Sequence, residues 1–239
     1  MIFDGHDLNS LFVVSRPTFE TFAPNRSFQD VLGRDGTVYM GGSLIGGNIS
    51  VKLSVIRKTP AQRREDLSTL FMWLDVDEPK WLVMDDQPGI SYKAIPSGDM
   101  PIDSFTNADS VVVNFRLLEA AAYGDTVTVA IPSEGSKTFT VHGTYPTKPK
   151  ITANAVRDTS SLVWGLCLDN GDFLHVATGS STARQIVLDC EDRTLTIAGS
   201  AALPTLDSNW FELTPGQHTI AFDNGRGTNT IVTYQERWL

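Results

Sequence analysis

The sequence predicts a mainly β protein of two domains: an N-terminal α+β sheet domain with one main helix and an extended arm, then a C-terminal antiparallel β-sandwich. Short β-rich runs separated by turn residues fill most of the chain, and one segment has the periodicity of an amphipathic helix. The stretch GTYPTKPKI at 143–151 divides them, because Pro146 and Pro149 disfavour both a helix and a central strand. We interpret Gly143, Pro146 and Pro149 as an interdomain joint, with domains at 1–144 and 145–239.

The helical segment is TPAQRREDLSTLFMWLD, with the helix expected at about 60–75. Thr59 is a good N-cap, Pro60 suits the first helical position, and Gln62 stands where a capping box requires it. An apolar stripe with the spacing i, i+3, i+4 and i+7 follows, formed by Leu67, Leu70, Phe71 and Leu74. We therefore expect this helix to pack on a sheet.

Most other segments predict strands. Before the joint, the β-rich runs are GNISVKLSVIRK, WLVMDD, SVVVNFRLL and DTVTVAIP. After it, short β segments alternate with turn dipeptides such as Asn170-Gly171 and Asn224-Gly225. This regular spacing without a strong helix predicts an antiparallel sandwich in the C-terminal half.

Composition excludes several classes of protein. The formal charge is −9, and both halves are net acidic, which argues against a nucleic-acid-binding surface. Cys167 and Cys190 belong to no CxxC or Cys/His cluster, so we expect two small core residues and no metal site. No apolar run reaches the length of a membrane span, and the start MIFDGHDLNS lacks a secretory pattern. We expect no cofactor and a soluble compartment.

The glycine-rich stretch GGSLIGG at 41–47 has two possible interpretations. It lacks the Lys-Ser/Thr of a phosphate-binding loop and precedes a strand, so no helix N-terminus is available to hold phosphate. We interpret it as part of a mobile arm or a hairpin tip, in which glycine supplies flexibility.

Three further patterns contain residue types that can carry chemistry. Five acids flank Trp73 and Trp81: Asp75, Asp77, Glu78, Asp85 and Asp86. A glycosidase needs two carboxylates, one on each side of the sugar. These acids, however, lie at a helix end and between a strand and a turn, where solvated acids are common. The sequence DNGD at 169–172 predicts a tight turn, because it lacks the later ligands of a calcium loop. The four histidines are scattered and no GxSxG context is present, so we predict no enzyme.

Several strings, in this order, resemble the distal tail protein family of long, non-contractile-tailed bacteriophages. They are FDGHDLNSLF at the start, GRDG at 33–36, VKLSVIRK, the helix, WLVMDDQPGISYKA, the joint, IVLDCEDRTLTIAG and WFELTPGQHTIAF. Each string by itself is unspecific, and their order and spacing across both halves carry the resemblance, which runs nearly end to end.

The resemblance implies a structural protein of the virion tail tip, made in the host cytoplasm. Its N-terminal domain is expected to form a homohexameric ring, or a two-ring dodecamer in isolation, through which DNA passes without specific binding. The expected partners are the tail tube protein, the tail-associated tip protein and receptor-binding proteins, the last held by a galectin-like C-terminal sandwich. The arm at 36–48 looks short for embracing a neighbour, and the ring-interface candidates lie on it: Gly36, Tyr39, Met40, Gly41, Gly42, Leu44, Ile45 and Gly46.

Two other functions stay open at this point. A galectin-like sandwich with Trp164 and Trp210 raises a carbohydrate-binding function in host recognition, since sugar faces stack on aromatic rings. Because Trp164 alternates with Leu162, Leu166 and Leu168, we expect it in the core instead. The acids beside Trp73 and Trp81 suggest a second alternative with weaker support, a hydrolase of the cell wall.

Overall fold

The computed structural model describes residues 1–20, 23–55, 59–105, 108–156, 163–178 and 182–239. Contacts divide the chain into two compact units, Met1–Ala122 and Tyr123–Leu239, and each has its own apolar core. In the described residues strands dominate, with one α-helix and a short 3-10 turn at Leu8–Ser10. The predicted mainly β fold with one main helix is therefore confirmed.

Among its described residues, the first unit contains eleven strands. They are β1 (Ile2–Phe3), β2 (His6–Asp7), β3 (Phe12–Val14), β4 (Thr18–Glu20), β5 (Ala23–Asp30), β6 (Thr37–Ile45), β7 (Asn48–Val55), β8 (Lys80–Met84), β9 (Gln87–Pro96), β10 (Ile102–Phe105) and β11 (Ala108–Leu117). Strands β9, β11, β7 and β3 are hydrogen-bonded neighbours in that order, and β1, β2, β4, β8 and β10 extend this sheet. Strands β5 and β6 form a separate two-stranded sheet.

Antiparallel pairing of β7 with β11 builds the core of the first unit. Three cross-strand pairs join buried residues: Ile49 with Phe115, Val51 with Val113, and Leu53 with Val111. Because side chains alternate between the two faces of a strand, these pairs all lie on one face. The apolar alternation read in the sequence thus identifies the buried side of the sheet.

Helix α1 (Pro60–Leu74) begins at the predicted capping box. The backbone N–H of Gln62 donates to Thr59 Oγ1 at 3.4 Å, and the backbone N–H of Thr59 donates to Gln62 Oε1 at 3.1 Å. Leu70 and Leu74 are buried and Leu67 packs partly against the same core. The predicted stripe is wrong at Phe71, which is 37% exposed, because the buried side of the helix is displaced toward Asp66 and Trp73.

The second unit is an antiparallel β-sandwich, and the part of it that the structure describes contains ten strands. They are β12 (Ala122–Ile131), β13 (Ser136–Val141), β14 (Lys150–Val156), β15 (Trp164–Leu168), β16 (Phe173–Val176), β17 (Arg184–Asp189), β18 (Thr194–Ile197), β19 (Ser200–Ala202), β20 (Gly216–Asn224) and β21 (Arg226–Trp238). One sheet has the order β19-β18-β17-β14-β21-β12, and the other has the order β13-β20-β15-β16. Inward side chains of both sheets form one core.

The predicted domain boundary after residue 144 and the division by contacts at residue 122 differ by the strands β12 and β13. Strand β13 pairs along its whole length with β20, from Ser136 opposite Ala221 to Val141 opposite Gly216. Val129, Ile131 and Val141 are buried in the core of the second unit. Long-range strand pairing, which the local sequence does not encode, thus joins β12 and β13 to the C-terminal half, β12 next to β21 and β13 next to β20.

Candidate assembly interface

The hairpin formed by β5 and β6 is the candidate interface, and we call residues 23–45 the arm. Its register runs from Ala23 opposite Ile45 at the base to Asp30 opposite Thr37 at the tip. At roughly 3.3 Å per residue, a strand of eight residues extends about 26 Å. The predicted short arm at 36–48 is therefore wrong, because the run APNRSFQD supplies a second strand before it.

Register assigns the arm side chains to two faces. Phe28 and Tyr39 are cross-strand partners on one face, with ring centroids 5.7 Å apart, and they are 60% and 57% exposed. We call this the apolar arm face: Pro24, Arg26, Phe28, Asp30, Thr37, Tyr39, Gly42 and Leu44. Polar residues dominate the opposite face: Asn25, Ser27, Gln29, Val38, Gly41, Ser43 and Ile45. An exposed aromatic pair on one side of a ribbon is typical of a surface that another chain covers.

A β-bulge lies at the middle of the arm. The register shifts between Ser27 and Phe28, so that Met40 is the extra residue on β6. Gly41 beside it has a φ of +106°, a conformation that favours glycine. The bulge changes the strand's direction and exposes Met40, which is 58% exposed. Of the predicted interface residues, Met40 and Gly41 thus define the bend of the arm.

Two glycines of the GGSLIGG stretch are required by close contacts. A β-carbon on Gly42 would lie 2.5 Å from the Asn25 carbonyl oxygen and 3.1 Å from the Tyr39 hydroxyl. A β-carbon on Gly46 would collide with the carbonyl group of Leu117 on β11. Of the two interpretations of this stretch, the hairpin tip is wrong, because residues 41–45 lie within β6, a strand of the arm, and Gly46 packs the base of the arm against the main sheet.

The tip of the arm is a turn at residues 31–36, where the predicted Gly36 has a φ of +87°. Leu32 is fully exposed and Val31 is 45% exposed. Sequence reasoning missed these two residues and Phe28, because a single aromatic residue among polar ones does not signal a strand. The predicted residues Tyr39, Leu44 and Ile45 do lie on the arm, whereas their role in a ring contact stays a prediction.

The predicted joint is hydrogen-bonded to later parts of the second unit. The backbone N–H groups of Thr144 and Tyr145 both donate to the Arg237 carbonyl, at 2.9 and 3.1 Å. Gly143 has a φ of +106° and forms a bridge with Arg237, and a β-carbon there would collide with that carbonyl. Thr147 pairs with Leu213 through two backbone hydrogen bonds of 2.9 and 2.7 Å. The proline-containing segment is therefore packed onto the sandwich.

A histidine bridge lies on the four-stranded sheet of the second unit. His175 Nε2 is 2.7 Å from Asp223 Oδ2, and His175 Nδ1 is 3.1 Å from Asp207 Oδ2. Burial lowers the pKa of His175, but hydrogen bonds and charge from the two carboxylates outweigh it and leave the pKa raised. The pKa of Asp207 is lowered, chiefly by hydrogen bonds from Thr205 and His175. The bridge ties the loop at 203–209 to the sheet.

The candidate carbohydrate residues do not form an open aromatic platform. Trp164 is buried in the sandwich core, as predicted, and its indole N–H donates to the Arg226 carbonyl at 3.1 Å. Trp210 is half-buried and packs against the same core. Stacking a sugar ring requires an exposed aromatic face, so Trp164 is excluded from that role.

Asp85, one of the acids near Trp73 and Trp81, lacks the electrostatics of a glycosidase acid. A general acid of that kind needs a raised pKa. The pKa of Asp85 is instead lowered by hydrogen bonds from the amino group of Met1 and from Asn9. This carboxyl is therefore a structural ion.

The remaining motifs have structural roles. Two hydrogen bonds close the DNGD turn. The side-chain amide of Asn170 donates to the Asp172 carboxylate at 2.7 Å, and the backbone N–H of Asp172 donates to Asn170 Oδ1 at 2.9 Å. Cys190 is fully buried, which raises the pKa of its thiol to about 12. Among the described residues, no group of three or more His, Cys, Asp or Glu side chains is arranged to hold a metal ion. Within the same residues, no helix is long and apolar enough to cross a membrane.

Comparisons with known proteins match both units. A family model described as the phage tail protein RIFT-related domain matches residues 3–117, and one described as the siphovirus-type tail component, C-terminal domain, matches residues 142–238. The distal tail protein of Bacillus phage SPP1 is 26% identical over 229 residues, covering 92% of this chain and 88% of that protein. The crystal structure of the SPP1 Dit protein covers 100% of this chain and 98% of its own, with a TM-score of 0.81 and 21% identity.

The two matched models and the shared two-unit β fold define a structural component of the siphophage tail. Since the matched ranges include most of both units and the curated relative spans nearly the whole chain, the chain belongs to the distal tail protein family. The resemblance read from the ordered sequence strings is confirmed.

Proposed function

We propose that this protein forms a hexameric ring that joins the tail tube to the tail tip and holds tip or receptor-binding proteins. SPP1 Dit is described as a paradigm of the hub adsorption apparatus in phages that infect Gram-positive bacteria. A hub at the same place in this virion requires copies of the chain to associate with one another. In isolation the expected species are a hexamer or a two-ring dodecamer.

The observation that carries the proposal is the apolar arm face. Phe28, Tyr39 and Leu44 expose 60%, 57% and 37% of their surfaces on one side of a two-stranded ribbon. Isolated hairpins are marginally stable in water, so a partner that covers this face would stabilise the arm. If the arm of one copy contacts a different surface on the next copy, the contact is head-to-tail. Head-to-tail contacts produce a closed ring when the rotation between successive copies adds up to a full turn.

The second unit supplies the outward part of the hub in this proposal. Its sandwich, expected to be galectin-like, would present surfaces to the tail-associated tip protein or to a receptor-binding protein. The first unit would contact the tail tube protein. The negative charge of the chain, −9, disfavours the phosphate contacts that would retain DNA in the channel.

The protein acts as a structural part and not as an enzyme in this proposal. The lowered pKa of Asp85 is unsuited to a general acid, and Trp164 is withdrawn from any sugar-binding surface. The carbohydrate-binding alternative predicts calorimetric heat on titration with sugars at millimolar concentration. The hub proposal predicts none.

Light scattering behind a sizing column, over a range of protein concentrations, tests the ring. We expect a mass that rises to six or twelve chains, and a loss of this association in the variant Phe28→Ser with Tyr39→Ser. The variant Gln29→Ser, on the opposite face of the same strand, is the matched control. A tagged copy located by electron microscopy anywhere except the junction of tube and tip would contradict the proposal, whatever the mass in solution.

A further inference from the structure

An apolar groove lies at the C-terminal end of α1. An open cavity of about 530 Å³ is lined by Phe71, Met72, Leu74, Asp75 and Met100. Leu74 turns inward to the core, whereas Phe71 and Met72 are 37% and 67% exposed. Two large apolar side chains therefore face solvent on adjacent positions of one helix, beside a cavity of the size of several side chains.

The rim of this groove is strongly negative. Asp75 caps the helix, Asp77 and Glu78 follow within three residues, and all three are exposed. The last turn of α1 contains no basic residue, although the negative end of the helix dipole favours a cation there. The groove thus combines apolar walls with an acidic edge, a surface that suits an apolar partner carrying a positive charge.

The apolar arm face has the complementary chemistry. Arg26 lies on this face between Pro24 and Phe28, and it stands opposite Gly42. Pro24 and Phe28 flank this cation on a strand about 26 Å long, by the usual rise per residue, and Asp30 on the same face lies at the tip of the arm. The arm face and the groove are both exposed in the same chain, so neither covers the other within one copy.

We propose that the groove at the end of α1 receives the arm of a second copy of this chain, with the Phe28–Tyr39 pair on Phe71 and Met72 and with Arg26 beside Asp75. The occupant is the arm because this segment offers both an apolar face and a cation on that face. The contact is heterologous, since the arm and the groove are different surfaces. This inference rests on the proposed ring and names the surface that each arm contacts.

Charge reversal with rescue tests the contact. We expect Arg26→Glu and Asp75→Lys each to weaken association tenfold or more, measured as the concentration at which the light-scattering mass reaches half its maximum. The chain carrying both changes should recover most of this loss, because the pair is restored with opposite signs. Lys137→Glu, an exposed reversal on β13 of the second unit, is the matched control and should leave association unchanged.

The outcomes separate this inference from the ring itself. In one outcome Arg26→Glu weakens association and the double variant does not recover it. This result would overturn the proposed contact between the arm and the groove. It would leave the ring proposal intact, with the arm contacting another surface. A wild-type chain that stays monomeric at every concentration overturns both. Loss of association in Met72→Ser, with none in the exposed control Leu206→Ser, supports the groove independently of charge.

Cross-linking between copies gives a second measurement. A Tyr39→Cys chain mixed with a Met72→Cys chain should form a disulfide-linked species of twice the chain mass under mild oxidation. Both chains also carry Cys167→Ser, which removes the half-buried native thiol, and the Cys190 thiol is fully buried with a raised pKa, so neither chain alone should form the linked species. Absence of the linked species from a mixture that does associate would overturn the groove.

Discussion

The imidazole ring of His175 lies so close to Gly165 that a β-carbon on residue 165 would collide with the ring. The two residues are antiparallel partners on β16 and β15, and Gly165 lets the imidazole extend across β15 to Asp223 on β20. From the other side Asp207, on the loop at 203–209, reaches the second ring nitrogen. One missing side chain thereby permits a histidine to link three segments of the sandwich.

Gly165→Ala is expected to destabilise the sandwich by about 1–3 kcal/mol, the usual cost of adding a methyl group to a packed site. The imidazole would have to leave Asp223, and the bridge to the loop would weaken with it. Urea unfolding followed by circular dichroism measures the change. Gly89→Ala is the control, since its β-carbon meets nothing within 4 Å, and an equal loss in both variants would contradict the argument.

The raised pKa of His175 predicts a loss of loop stability at alkaline pH. A raised folded-state pKa means that the stabilisation is complete below the unfolded value of 6.5 and is lost as the pH rises through the folded pKa. Besides Asp207 and Asp223, the nearby titratable groups are the Cys167 thiol on β15 and Asp172, which accepts from Asn209 of the loop. We expect the Thr205 backbone N–H, which donates to the His175 carbonyl, to exchange faster with solvent at about pH 9 than at about pH 6, after correction for intrinsic exchange.

His175→Gln provides the comparison for this pH dependence. Glutamine carries no titratable proton, so the corrected exchange rate of Thr205 should lose its change between the two pH values. At acid pH the corresponding effect comes from Asp207. Because its pKa is lowered in the folded protein, it adds stability that is present above pH 3.8 and is lost as the pH falls through its folded-state pKa. A His175→Gln chain with an unchanged alkaline response would show that another group controls the loop.

Thr59→Ala is expected to lower the free energy of unfolding by about 1 kcal/mol, because the change removes the side-chain half of the capping box. Thr69→Ala is the matched control on the same helix. The Thr69 hydroxyl donates to the Glu65 carbonyl in the helix interior, where alanine is at least as favourable. Equal effects in the two variants, in urea titrations, would argue against a special role for the cap.

Gly46→Ala should separate the base of the arm from the main sheet. The added β-carbon would collide with the Leu117 carbonyl, and the adjacent hydrogen bond from the Leu117 N–H to the Gly47 carbonyl, of 2.9 Å, should weaken. We expect a loss of about 1–3 kcal/mol in the first unit together with weaker association. Hydrogen exchange at Leu117 and light scattering measure the two effects, and a change in neither would contradict this account.

Cys190 should be inert to thiol reagents in the native protein. Its pKa of about 12 leaves almost no thiolate at neutral pH, and its side chain is fully buried. Cys167 is less buried, although burial raises its pKa as well. One fast and one slow thiol are expected on labelling, with both fast in denaturant. Rapid native labelling of a Cys167→Ser chain would contradict the prediction.

Local patterns predicted the helix and most strands well, because capping, periodicity and turn residues act within a few positions. Thr59 with Gln62 and the alternation around Val51 were each readable from neighbouring residues. The burial of Trp164 was also predictable, since alternation along β15 assigns it to the inner face. Phe71 was misjudged because the direction in which the helix is buried, here toward Asp66 and Trp73, depends on what packs against it.

The sequence by itself determined the mainly β class, the capped helix, the buried tryptophan and the family, since each follows from short-range order repeated along the chain. The tertiary structure alone decided the length of the arm, the exposure of Phe28 beside Tyr39, the two closely packed glycines, Gly42 and Gly46, and the bridge at His175. These features depend on strands and loops that lie far apart in the chain. Long-range register determines them, and no local pattern records which residue will stand opposite another.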